Sequence, residues 1–449
     1  MRISARRAGL TRYRSILAWA AVLLVTMGTT AWSPAARAQL RLDITQGVRD
    51  AVPIAIVPFG GQAEGGSGDV AAVVANDLLS SGRFKPLERP DMVTRPTTGA
   101  QIRFEDWRLL KADFIVVGRV EPEGSGLAVT FELFNVQTGQ ALLSQRLATT
   151  ERGLRSTAHR IADLVFERLT GIPGAFSTRI AYVAVGGKPP AQRYRLIVSD
   201  ADGYNPRTVM DSGEPIMSPA WSPDGQFLAY VSFEGKASAV YVQRLSSGDR
   251  RRVSARSGIN GAPAWSPDGK RLALTLSRDG NLDIYVLELA SQVLTRITTD
   301  GAIDTEPEWT RDGESLYFTS DRAGTAQVYR VGAGSGQEAQ RLTFTNGYNA
   351  RPRLSPDGQS LALVTLDRGG FRIALFDLKT RNVHVLTEGQ QDESPSFAPN
   401  GAAVIYATRA GARGALAVVS SDGQFQQRLS SEAGDVREPV WSPFPAQSR

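Results

Sequence analysis

The side chains that could carry out chemistry are few and dispersed. The 449 residues include two histidines, His159 and His384, and no cysteine. Thiolate catalysis and disulfide cross-links are therefore excluded. The histidines share no local spacing, so neither a metal-binding pair nor a catalytic triad is indicated. His159 reads as a packing or surface residue of a helix, and His384 falls in a strand-like stretch. No Gly-x-Ser-x-Gly elbow is present and eight residues follow Trp441, so a serine-peptidase domain is not expected. Asp200-Ala201-Asp202-Gly203 echoes the start of a calcium loop but lacks the other ligands and the closing glutamate, and it reads as a hairpin turn. What remains is a set of polar groups that recur just ahead of prolines. These are Glu214, then Asn260, then Asp304, Thr305 and Glu306. Asn349 and Arg351, Asp392 and Glu393, and Arg437 and Glu438 complete the set. Such a charge-mixed, acidic-leaning collection suits non-covalent recognition of another molecule.

The elements that position these residues follow from a repeat. A Pro-x-aromatic-Ser-Pro-Asp-Gly signature returns six times, with variations, its aromatic or apolar anchor falling at Trp221, Trp265, Trp309, Leu354, Phe397 and Trp441. The steps are 44, 44, 45, 43 and 44 residues. A period in the low forties with four strand-like segments per repeat marks a β-propeller blade. In the repeat from Pro263, Pro263-Ala264-Trp265 is a short strand and Ser266-Pro267-Asp268-Gly269 a tight turn. Arg271–Leu276, Asp283–Leu287 and Thr295–Thr298 are the remaining strands. The anchors are expected to pack between adjacent blades. Because Trp441 has no second strand after it, while Arg179–Val183 is a second strand with no anchor before it, the two should pair and close a six-bladed ring. The loops carrying the polar set then converge on one mouth of the channel, opposite the Ser-Pro-Asp-Gly turns. Loops on a rigid scaffold are where binding is expected.

Residues 1–38 read as an export signal: five arginines, an apolar stretch from Ile16 to Met27, and Ala36-Arg37-Ala38 as the cleavage site. Cleavage would remove six basic and no acidic residues, leaving 45 Lys and Arg against 45 Asp and Glu. The basic balance of the whole chain is thus no argument for nucleic-acid binding. No later apolar run is long enough to span a membrane, and a monomer without cofactor is expected. Residues 39–171 lack the repeat and read as a small α/β domain, followed by the propeller over 172–449. Helices are expected over Val70–Ser80 and Arg155–Thr170, with Gly171 as a stop. At its start Leu40, Leu42 and Ile44 alternate with Arg41 and Asp43, a strand able to add to a partner or pack back on its own domain.

The junction Leu169-Thr170-Gly171-Ile172-Pro173-Gly174, the strand Ile54–Phe59 and repeats such as Asp304-Thr305-Glu306-Pro307-Glu308-Trp309 resemble the TolB family over essentially the whole mature chain. That resemblance implies a non-enzymatic periplasmic component of the Tol-Pal system, which supports outer-membrane integrity and outer-membrane invagination during division. It implies binding of the lipoprotein Pal at the propeller mouth, of TolA through the N-terminal segment, and of colicins in some bacteria. The rival is a propeller hydrolase or peptidase-related enzyme with a channel metal held by carboxylates such as Asp304 and Glu306. A carbohydrate binder would need exposed aromatic platforms at the mouth, where Tyr348 alone is a candidate.

Overall fold

The computed structural model describes residues 40–46, 50–62, 65, 68–431 and 434–446. The export-signal reading concerns residues outside this set. The first described strand, β1 (Leu40–Gln46), belongs to the propeller. The α/β domain begins with β2 (Val52–Ile56) and adds β3 (Phe84–Pro86), β4 (Phe114–Glu123), β5 (Gly126–Asn135) and β6 (Ala141–Thr149) in the order β3-β2-β4-β5-β6. The β3-β2-β4 pairings are parallel and the β4-β5-β6 pairings antiparallel. The strands β2 and β4 are apolar without strict alternation because helices cover both sheet faces. On one face lie α1 (Val70–Ser80) and α3 (Leu154–Thr170), which bury Val70, Val74, Leu78, Ile161 and Val165. On the other, α2 (Phe104–Leu109) buries Trp107 completely.

Local chemistry explains the ends of these helices. Asp69 caps α1 by accepting from the Ala72 N–H at 3.0 Å, and Arg89 pairs with the same carboxylate at 2.7 and 2.8 Å. The helix α3 stops at Gly171, whose φ of 75° places it in the left-handed region that glycine enters at little cost.

Six sheets make the ring. Blade 1 combines the C-terminal strand Asp435–Trp441 with Arg179–Gly186, Arg193–Asp200 and Arg207–Ser212. Trp441 is opposite Ile180, so the closure expected from the repeat is the one observed. Blades 2 to 6 begin with inner strands Ile216–Trp221, Asn260–Trp265, Asp304–Trp309, Asn349–Leu354 and Glu393–Phe397. The anchors do pack between blades. The indole N–H groups of Trp221, Trp265 and Trp309 each donate to a carbonyl of the preceding blade's inner strand, at Val440, Ala220 and Ala264, over 3.1 to 3.2 Å. Arg271 adds a guanidinium 4.5 Å above the Trp309 ring.

Blade 6 has a fifth strand. Along its outer strand Gln426–Ser431, β1 pairs antiparallel, Leu40 opposite Ser431 and Leu42 opposite Leu429. The N-terminal segment thus packs back, but on the propeller rather than on its own domain. That pairing spans nearly the whole chain, and the alternation of residues 40–44 carries no information about which edge receives it.

Candidate protein-recognition surfaces

Each inner strand is interrupted at the same place. Register shifts fall at Met217/Ala220, Gly261/Ala264, Thr305/Glu308, Ala350/Arg353, Glu393/Ser396 and Arg437/Val440. In each bulge sits a non-glycine residue with φ between 44° and 55°: Ser218, Ala262, Glu306, Arg351, Ser394 and Glu438. All six directly precede the signature proline, so that proline falls where the ladder is already broken and its missing N–H costs no pairing. Holding six such residues in the left-handed region costs on the order of 1 kcal/mol or more apiece, which the closed ring must over-determine.

The six bulge residues line the channel, and their charges are matched across blades. Arg351 donates through Nε to Glu306 at 2.5 Å and through its backbone N–H to the same carboxylate at 3.0 Å. It also reaches the Ser394 hydroxyl, and Glu438 accepts from the Ser218 N–H. Burial opposes the charge on Arg351, but the facing Glu306, Glu438 and Glu393 outweigh it and hold the guanidinium more firmly protonated than usual. Burial pushes the Glu438 carboxyl up, with Arg351 pulling the other way. Glu306 is therefore committed to a protein cation.

Toward the mouth the predicted residues divide. Asn260, Asp304, Asn349 and Asp392 are buried; Asp304 ties down its own blade, and the other three tie their strand to the preceding blade. Asp304 takes two bonds from Arg322 at 2.9 and 3.0 Å, and Asp392 accepts from Thr387 and Thr408 at 2.6 Å. Asn260 bonds Ser254, and Asn349 bonds Gln327. These side chains shape the loops and are not presented outward. Glu214 and Glu393 are exposed, and Thr305, Glu306, Arg351 and Arg437 half-buried. A 630 Å³ hollow brings Glu306, Arg351, Asp392, Glu393 and Arg437 together with Tyr348, Phe371 and Arg409; Glu214, Asn260 and Asn349 lie outside it.

Residues one step nearer the solvent were not singled out as the recognition set. Met217, Ile259 and Ile303 stand exposed on the rim, and Tyr348 meets Phe371 edge-on at 5.1 Å. The rim is held from beneath. The Ile259 N–H donates to Ser277 at 2.7 Å and the Ile303 N–H to Asp321 at 2.8 Å. Ile259, Ile303 and Tyr348 each lie six residues before an anchor, and the buried Asn260, Asp304 and Asn349 five before it. Strand alternation alone separates the two sets. Exposed apolar side chains thus stand at the mouth on blades 2, 3 and 4, and an aromatic pair on blade 5 borders the charged hollow. On the flank of blade 6, β1 supplies a second surface, fixed by the 40–46 pairing and by Thr45 donating to the Gln426 carbonyl at 3.1 Å.

His159 departs from its reading as a packing or surface residue. It is 3 % exposed, and its Nδ1 lies 2.7 Å from Asp77 of α1. Its Nε2 lies 4.0 Å from Asp202 in the turn after the second described strand pair of blade 1, and Arg155 binds that carboxylate. Burial alone would discharge the imidazole, but Asp77 and Asp202 raise it to about 9. Burial raises Asp77 to about 6, with His159 drawing it back. These three are the group among the described residues whose ligand-type atoms approach within 4.8 Å of one another. His159 and Arg155 already neutralise the two carboxylates, so the arrangement is an ion-pair latch between α/β domain and propeller. Gly82 abuts Phe425 of blade 6 so closely that a Cβ would lie 2.3 Å from the ring, a second tight approach across the same junction.

Comparison with known proteins follows the two regions. A family model described as the TolB amino-terminal domain matches residues 40–142, and one described as the TolB beta propeller domain matches residues 166–445. The Tol-Pal system protein TolB of Xanthomonas euvesicatoria is 55% identical over 410 residues, covering 90% of this chain and 93% of that protein. The protein of the same description from Xanthomonas campestris is also 55% identical over 410 residues. The crystal structure of TolB from Acinetobacter baumannii superposes with a TM-score of 0.85 at 43% identity, over 90% of this chain and all of that one.

Proposed function

The chain belongs to the TolB family and is a Tol-Pal system component, and on that premise we propose that it is a non-enzymatic periplasmic adaptor with two separate protein-binding surfaces. The propeller mouth receives the lipoprotein Pal, and the N-terminal segment Leu40–Ile44 engages TolA. By joining the two it supports outer-membrane integrity and the inward movement of the outer membrane at division. The observation that carries this reading is the division of labour at the mouth. Asp304, Asp392, Asn260 and Asn349 are consumed in holding blades, which leaves Glu214, Thr305, Glu393 and Arg437 beside an apolar rim on a closed scaffold. A rigid rim with a mixed apolar and charged face matches what folded protein partners require. Among the described residues no helix is long and apolar enough to cross a membrane, which accords with a periplasmic location.

A strand laid on a blade edge is held by backbone hydrogen bonds that another edge can supply equally well, so β1 can exchange between blade 6 and TolA. The test is deletion of residues 39–49. TolA binding should vanish while Pal binding stays intact or tightens. Loss of both, or retention of TolA binding, would contradict the assignment.

A further inference from the structure

The outer strands of the six blades differ in length. Those of blades 3, 4 and 5 are short, Leu294–Arg296, Gln340–Arg341 and Val383–Val385. Those of blades 1, 2 and 6 run five or six residues, and the edge of blade 6 carries β1. This ring therefore already accepts a fifth strand where an outer strand is long enough to template one. Blade 2 offers the same opportunity with its own chemistry. Its outer strand, Arg250–Ser254, pairs on one side with Ala239–Arg244, and among the described residues no strand pairs with the other side. An outer strand leaves alternate N–H and C=O groups facing outward.

That edge is strongly basic. From Glu234 to Arg256 there are six basic residues, Lys236, Arg244, Arg250, Arg251, Arg252 and Arg256, against two acidic ones, Glu234 and Asp249. All six bases are exposed. Strand alternation puts Arg250 and Arg252 on one face and Arg251 on the other. The contacts agree: Arg250 lies over Tyr241 at 5.1 Å and reaches Met210 of blade 1, while Arg251 reaches the Leu289 carbonyl of blade 3. Arg250 is paired with Glu234 at 2.9 Å. Arg252 and Arg256 have no side-chain hydrogen bond or ion pair among the described residues. Basic residues on an open edge repel a basic strand and disfavour a neutral one because pairing would desolvate them, but they draw in an acidic one and flank it on both faces.

We propose that the outer edge of blade 2 is a strand-addition site for an extended acidic segment of a partner protein, distinct from the mouth and from the edge occupied by β1. Main-chain pairing along Arg250–Ser254 supplies register, and the guanidinium groups on both faces select carboxylate side chains.

The probe is a fluorescent eight-residue peptide alternating glutamate with valine and threonine, titrated into the full-length mature protein. Binding should weaken about tenfold in the Arg251→Glu, Arg252→Glu double variant and fall steeply between roughly 50 and 300 mM salt. Amide hydrogen exchange should slow at residues 250–254. A peptide of equal charge with a central proline should bind far more weakly, because it cannot complete the ladder. Four results would overturn the proposal: no binding, equal affinity for the double variant, equal affinity for the proline peptide, or protection at the mouth instead of the edge. Tighter binding to phosphatidylglycerol vesicles than to the peptide would assign the patch to lipid and equally overturn it. Both substituted side chains are exposed, so the variant's melting temperature should match that of the parent.

Discussion

Replacing His159 by alanine removes the cation from a junction where Asp77 is 1 % exposed. The carboxylate loses its 2.7 Å partner and remains buried. Breaking a buried pair in this way costs about 3–5 kcal/mol, because the leftover charge keeps its desolvation penalty. For a domain of this size that lowers the corresponding unfolding transition by on the order of 10 °C. The pH dependence identifies the cause. His159 titrates at about 9, above the ordinary 6.5, so its stabilisation is fully present below pH 6.5 and is lost as pH rises through 9. Asp77, at about 6 rather than 3.8, acts in the same direction in its own window, since the folded chain holds the extra proton between those values. Calorimetry at pH 7 should show the full gap between parent and variant, and at pH 10 the gap should shrink to less than half. The uncharged double variant Asp77→Asn, His159→Gln should recover most of the loss, since removing both charges leaves nothing unpaired. A gap independent of pH, or a His159→Ala protein as stable as the parent at pH 7, would refute the ion-pair account.

Other consequences concern the ring. Trp309→Phe keeps the inter-blade ring contact but deletes the 3.1 Å bond to Ala264, and should cost about 1 kcal/mol in urea unfolding. Trp309→Ala should cost about 3–5 kcal/mol by the same measurement, because a 4 % exposed side chain is emptied. Glu306→Gln leaves Arg351 short of its nearest anion; with both side chains about one-fifth exposed, the loss should be about 1–2 kcal/mol and should diminish in high salt.

The ring, its six-fold count and its closure were legible because the signature repeats locally, and because Trp441 and Arg179 each lack the half that the other supplies. Gly171 marked the helix end for an equally local reason. The six bulges were not legible: the residues in the left-handed region are Ser, Ala, Glu and Arg, which carry no sign of that conformation beyond the proline that follows. The mouth was legible as a set of loops but not in its detail. A one-residue phase separates buried Asp304 from exposed Ile303, and polarity alone selects the buried one. The latch was invisible because Asp77, His159 and Asp202 come from two helices and a propeller turn, far apart in the chain, so no spacing connects them. The seat of β1 was hidden by the same kind of long-range pairing.

On the function proposed, the exposed part of the propeller mouth grips a protein partner. Isothermal titration of the soluble domain of Pal into the mature protein, compared with the Glu393→Arg, Arg437→Glu double variant, addresses it most directly. Saturable binding to the parent is expected, weakened about tenfold or more in the variant at an unchanged melting temperature. Equal affinity for both proteins would contradict it.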